Sequence, residues 1–209
     1  MTMRSSIIVL MMFWVQTFFV CAQNKDLLQQ FEEEIKIKNK EVITIECSFT
    51  QTQQSSVFLD LVKKNGTFYF KQPGSMLLQF EEGDYIKMND SWFEIKNANN
   101  SNVTKIASNP MLKNLRTILS ACVVGDFMAM AKEFENNIER TAEEWVVTMS
   151  YKGGKRVSKI YRIVLHFDSR DMSLNLLKLE ETSGDYIMYE FYQKKFNGTV
   201  DDNLFYIAK

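Results

Sequence analysis

The side chains best equipped for chemistry in this 209-residue chain are few and poorly spaced for it. His166 is the only histidine, and Cys47 and Cys122 lie far apart. A metal site draws several His, Cys, Asp or Glu ligands from short spacings, so no metal ligand set is expected. Serine catalysis needs a positioned base, and no Gly-x-Ser-x-Gly elbow occurs. The acid pairs Glu33-Glu34, Glu81-Glu82, Glu143-Glu144 and Glu180-Glu181 are adjacent in sequence. Neighbouring positions of a strand face opposite ways, so these pairs are solvated charge and not acid–base couples. No Gly-x-x-x-x-Gly-Lys-Ser/Thr loop is present to hold a nucleotide. The expectation is a protein that is not an enzyme and carries no cofactor and no metal.

Nucleic acid is excluded on similar grounds. Acids and bases nearly cancel, to a net charge of −1, and Lys152-Gly153-Gly154-Lys155-Arg156 is the only compact basic group. Polyanion binding requires a basic face, whereas this group reads as a solvated hairpin tip.

Compartment follows from the first residues. Arg4 precedes an apolar run from Ile7 to Val20, broken only by Gln16 and Thr17, and then Val20-Cys21-Ala22. This pattern predicts a signal peptide over 1–22, cleaved after Ala22, and a single mature domain over 23–209. The run is shorter than the roughly 20 apolar residues of a membrane span. Lipidation at Cys21 is the other alternative, and Val20 stands where a small residue would be wanted. Cys47 and Cys122 then survive cleavage, too few for a disulfide framework. Two buried free thiols are favoured over one bridge.

The elements that must position any site read as one helix, a run of strands, a helical pair and more strands. Leu27, Phe31 and Ile35 recur every fourth residue, which predicts an amphipathic first helix. From Ile43 the period becomes two, as Ile43, Ile45, Cys47 and Phe49 alternate with polar residues. Val57 to Pro73 reads as one long strand with a bulge at Asn65-Gly66, after a turn near Gln54 to Ser56. Short strands follow at Met76–Phe80, Tyr85–Met88 and Trp92–Ile95, and Asn97 to Asn102 reads as a polar connection. Asn109-Pro110 starts a helix, Gly125 closes it, and Phe127, Met130, Ala131 and Phe134 suggest a second one. Strands then resume after Asn136: Trp145–Tyr151, Ser158–Phe167, Leu174–Glu180, Tyr186–Tyr192 and Leu204–Ile207. The fold class is mainly β with helices added (α+β), one long antiparallel sheet without βαβ alternation.

Such a sheet must have one face covered or left to bind something. Alternation places Phe68, Phe70, Met76, Leu78, Phe80 and Trp92 on one candidate concave face. Leu115, Leu119, Phe127 and Met130 would line the helical pair over about 110–134. An ordinary packed core is the alternative that periodicity leaves open.

Three strings now bear on that choice: Ser48-Phe49-Thr50-Gln51, the segment from Gly66 to Pro73 with Lys71 and Gln72 before the proline, and Asn197-Gly198-Thr199-Val200-Asp201 followed by Phe205. In this order, behind an export signal, they resemble the LolA family of periplasmic lipoprotein carriers. The resemblance implies an incomplete antiparallel β-barrel with a helical lid, in the periplasm. Its cargo would be acylated lipoproteins, received from an inner-membrane ATP-driven transporter and passed to an outer-membrane acceptor. Carriers of free lipids, glycolipids or lipid-linked intermediates, or an outer-membrane acceptor, would share the fold. Family members commonly carry arginine where this chain has Gln72, and that arginine latches the lid. The resemblance therefore implies a weakened latch here, or one supplied by Arg116.

Overall fold

The computed structural model describes residues 26–56, 58–98, 100–108, 110–125, 127, 132–152 and 160–208, without the side chains of 58–60, 110, 111, 114, 115 and 124. The expected signal peptide over 1–22, the expected Gly153-Gly154 turn and Met130 lie outside the described residues.

Helix α1 spans 26–39. The sheet then runs β1 (Thr44–Ser55), β2 (Phe58–Lys71), β3 (Ser75–Phe80), β4 (Tyr85–Met88), β5 (Trp92–Asn97) and β6 (Asn100–Lys105). Helix α2 (Pro110–Val124) interrupts it. The chain returns through β7 (Phe134–Arg140), β8 (Glu144–Tyr151), β9 (Ile160–Asp168), β10 (Leu174–Glu181) and β11 (Tyr186–Phe196). All eleven strands form one antiparallel sheet in the order β6-β5-β4-β3-β2-β1-β11-β10-β9-β8-β7. Two meanders are thus joined at β1 and β11, while β6 and β7 remain unpaired edges. The sheet curls without closing, which makes it an incomplete barrel.

Each helix fills one half of the curl. Phe31 of α1 is fully buried against Phe127, Trp145 and Phe167, with ring centroids 5.3, 5.6 and 5.1 Å away. Leu112 and Val123 of α2 pack on Phe70, Met76, Met88 and Phe93. The helices meet at Gly125, whose N–H donates to the Ala121 carbonyl at 2.7 Å to end α2. Its φ of 79° and the 2.3 Å that would separate a Cβ from Ile35 Cγ2 both demand glycine.

Several expectations are corrected. Phe134 opens strand β7, so no second helix reaches it, and Phe127 is not helical. The apolar spacing of four between Phe134 and Ile138 suits a helix face and a strand face equally, and pairing with β8 decides for the strand. Asn65-Gly66 is not a bulge: Thr50 faces Asn65 and Phe49 faces Gly66 in unbroken register, and the irregularity falls between Gln53 and Ser55. Most of the supposed loop from Asn97 to Asn102 belongs to the hairpin of β5 and β6. The polar composition of β6 suits an edge strand, which has little to bury and gains by resisting further pairing. Leu204–Ile207 is not a strand. Asp201 caps a short 3-10 turn over Asp202–Phe205 by accepting from the Asn203 N–H. That turn sets Phe205 against Leu77 and Val200 on the outer face of the sheet.

Candidate functional site

Where the two halves of the curl meet beneath α2, the packing leaves two neighbouring apolar cavities. The first lies among Leu119, Cys122 and Val123 of α2, Cys47 of β1 and Phe191 and Lys194 of β11. The second lies between the half-sheets, with Met76, Leu78 and Phe93 on one side and Leu177, Leu179 and Tyr189 on the other. Phe68, Leu119 and Phe191 border both, so these three side chains form the partition. Phe68 and Phe191 lean on each other across it at 5.5 Å.

The two cavities have volumes of about 50 and 90 Å³. A dry protein cavity that admits benzene is about 150 Å³. Neither cavity accommodates a long acyl chain as it stands, so such a ligand requires α2 to move away from the sheet. In that sense the structure is a closed state whose walls are already apolar.

Among the expected residues, Phe68, Met76, Leu78 and Leu119 do line cavity. Phe70 is fully buried in the packing under α2. Phe80 meets Phe49 edge-on at 5.2 Å, and Phe127 sits under α1. Trp92 faces the other way: Lys105, its partner on β6, holds its ammonium 5.3 Å from the indole, and Phe93 takes the inward position. Trp92 is therefore withdrawn from the lining. The side chains of Leu115 and Met130 lie outside the described residues.

The two latch candidates separate. Gln72 donates from Nε2 to the Val42 carbonyl at 2.6 Å, tying the end of β2 to the segment after α1. Arg116, on α2, donates from one nitrogen to the Asp90 carboxylate at 2.7 Å and from another to the Asp90 carbonyl at 2.9 Å. It pins the helix to the turn between β4 and β5.

Burial pushes the Cys47 thiol up to about 12 and the Cys122 thiol higher still, and both cysteines are free. Both are therefore neutral small hydrophobes in the wall. His166 Nδ1 pairs with Glu144 at 2.8 Å on the outer face. No cluster of metal-ligating side chains occurs among the described residues.

Sequence reasoning missed Phe191, Lys194, Phe93, Met88, Leu177 and Leu179 as wall residues. Phe93 was one step from Trp92, and a strict alternation from Met88 across the hairpin would have found it. Lys194 had no such signal, because a bulge in β11 aims it inward.

The comparisons agree with this geometry. The family model of the outer membrane lipoprotein carrier protein LolA matches residues 40–208. No curated protein matches the sequence. Among solved structures, an uncharacterized conserved protein from Thermus thermophilus superimposes with a TM-score of 0.52 at 8% identity, covering 87% of this chain and 94% of its own. A putative outer membrane lipoprotein-sorting protein domain from Vibrio parahaemolyticus gives 0.48 at 10% identity, covering 87% and 97%. The lipoprotein LppX of Mycobacterium tuberculosis gives 0.44 at 10% identity, covering 85% and 98%. The Thermus likeness concerns the fold alone. With a match over most of its length and the expected incomplete barrel, the chain belongs to the LolA family of outer membrane lipoprotein carrier proteins.

Proposed function

We propose that this protein is an exported periplasmic carrier that takes up the acyl chains of lipoproteins between α2 and the curled sheet and moves them from the inner to the outer membrane. One observation carries the reading: two adjoining apolar cavities lie where α2 covers the seam of an unclosed barrel. Cores keep few such voids, since a void forfeits dispersion contacts on its walls.

The energetics match the task. Each buried methylene is worth about 0.8 kcal/mol, so a chain of ~16 carbons leaving a bilayer needs a replacement surface on the order of 10 kcal/mol. Parting α2 from Phe70, Met76, Met88 and Phe93 exposes such a surface, and the acyl chain covers it again. The chain holds no phosphate loop of its own, so the work of loading falls to an ATP-driven transporter in the inner membrane. Delivery falls to an outer-membrane acceptor. Residues 1–22 act as the cleaved export signal in this scheme.

The test is native purification of the mature protein from its own envelope, with mass spectrometry of whatever accompanies it. Acylated lipoproteins are expected. Recovery of a lipid-free protein that also fails to bind any fluorescent acyl probe would overturn the reading.

A further inference from the structure

The first cavity has two neutral polar residues on its wall, Asn39 and Ser173, and one charged side chain, Lys194. Lys194 lies on its wall together with Ile45, Phe68, Leu119, Leu174 and Phe191. A regular β11 would not place it there. Glu46 faces Lys195 and Ser48 faces Tyr192, so Gln193 and Lys194 together oppose the single residue Cys47. This is a β-bulge, and Gln193 adopts a φ of 54° to make it. Non-glycine residues rarely take that conformation, and bulges characteristically re-aim a side chain. The bulge shifts the alternation by one, so that Lys194 and Phe196 follow Phe191 into the cavity wall while Gln193 faces out toward Ser48.

Among the described residues, the ammonium's hydrogen bonds go to neutral partners. It donates to Ser173 Oγ at 2.8 Å and to Asn175 Oδ1. The groups whose charge it feels are Asp171, Cys47 and Asp168, none of them hydrogen-bonded to it: Asp171 accepts from the Ser173 N–H, and Asp168 is held by Arg170. Burial lowers the Lys194 pKa, and the charges of Asp171, Cys47 and Asp168 offset that only in part. A charge in an apolar wall is costly unless it is paired.

We propose that Lys194 is the anchor for an anionic headgroup, so that the cargo of the first cavity is an amphiphile bearing a carboxylate or phosphate beside its acyl chain. This rests on the reading of the cavities as an acyl site and adds to the lipoprotein cargo proposed above, whose ester- and amide-linked acyl chains carry no such anion, a lipid with a charged head. An acyl chain entering past Leu119 and Phe68 leaves its head at Lys194, where Ser173 Oγ and Asn175 supply further hydrogen bonds. The ion pair forms at a half-buried position on an apolar wall, where it is stronger than at an open surface.

The test compares a fluorescent polyene fatty acid with its methyl ester, and lysophosphatidic acid with monoacylglycerol as displacing ligands, on wild type, Lys194→Met and Lys194→Arg. Wild type should favour each anionic member over its neutral partner by about tenfold. Lys194→Met should erase that preference while keeping ester affinity and thermal stability, and Lys194→Arg should preserve it. Preference in the fatty-acid pair alone assigns a carboxylate, and in the phosphate pair alone a phosphate. Ester binding without discrimination in wild type, or discrimination that survives in Lys194→Met, would overturn the anchor while leaving the acyl site intact. Failure of every probe to bind wild type would overturn both.

Discussion

Gly66 lies opposite Phe49 across the β1–β2 pair, and the Phe49 ring occupies the space that a side chain at 66 would need. A Cβ there would stand 2.6 Å from Phe49 Cζ and 2.2 Å from the Gln79 carbonyl oxygen. The Phe49 ring in turn meets Phe80 and Tyr189, one from each half of the sheet, at 5.2 and 5.9 Å. Glycine at 66 thereby lets one aromatic ring bridge the seam of the barrel.

Gly66→Ala should therefore lower stability by about 1–3 kcal/mol through overpacking. Adding Phe49→Leu should recover only part of the loss, because the Gln79 carbonyl belongs to the backbone and cannot yield. Urea unfolding of both variants measures this, and full recovery in the double variant would refute the seam argument.

The hold of Arg116 on Asp90 should set how readily α2 lifts. Both side chains are partly exposed, so their coupling should be modest, about 0.5–1 kcal/mol despite the doubled geometry. Arg116→Ala should speed uptake of a fluorescent fatty acid two- to fivefold in stopped flow. Gln72→Ala should leave uptake unchanged, since its amide serves Val42.

Leu119 borders both cavities, so Leu119→Trp should obstruct both at once and reduce acyl-probe affinity on the order of tenfold, with a folded thermal transition. Phe70→Glu should instead unfold the protein, because Phe70 is wholly buried and an unpaired carboxylate there has no partner. Unaltered probe affinity in a folded Leu119→Trp protein would place the ligand elsewhere.

Asp168 should govern part of the acid limb of stability. Its hydrogen bond from the Arg170 side chain, with a second from the Arg170 N–H, holds the carboxyl at about 2, below its usual 3.8. A depressed carboxylate stabilises the fold above its unfolded value and loses that contribution as pH falls through the folded one. Wild type should thus lose stability between about pH 4 and pH 2 through this group, and Asp168→Asn should flatten that portion of a melting-temperature profile. An identical acid limb in the variant would rule the assignment out.

Cys47 and Cys122 should resist thiol reagents at pH 8 in the folded protein and both react once it is denatured without reductant. Their burial raises both thiols and keeps the thiolate scarce. A count of zero in denaturant would mean that the two are bridged.

Much of this protein is local in origin. The spacing of Leu27, Phe31 and Ile35 specifies a helix wherever it lands, and the alternation through Ile45, Cys47 and Phe49 specifies a strand with one wet face. Pro110 and Gly125 mark the ends of α2 through backbone geometry alone. The lone histidine, the distant cysteines and the missing phosphate loop speak against chemistry before any fold is known, and Ser48 to Gln51, Gly66 to Pro73 and Asn197 to Asp201 carry the family.

What only the tertiary structure decided depends on partners distant in the chain. Phe134 suited helix and strand equally until β8 paired with it, and the polar run at Asn100 became a strand because β5 offered an edge. Trp92 and Phe93 exchanged roles because the face of a strand is set by its neighbour's register and not by which residue is larger. Lys194 is the sharpest case. A lysine on an alternating strand reads as solvated, and its turn into an apolar cavity comes from a bulge formed against Cys47, 147 positions earlier in the sequence.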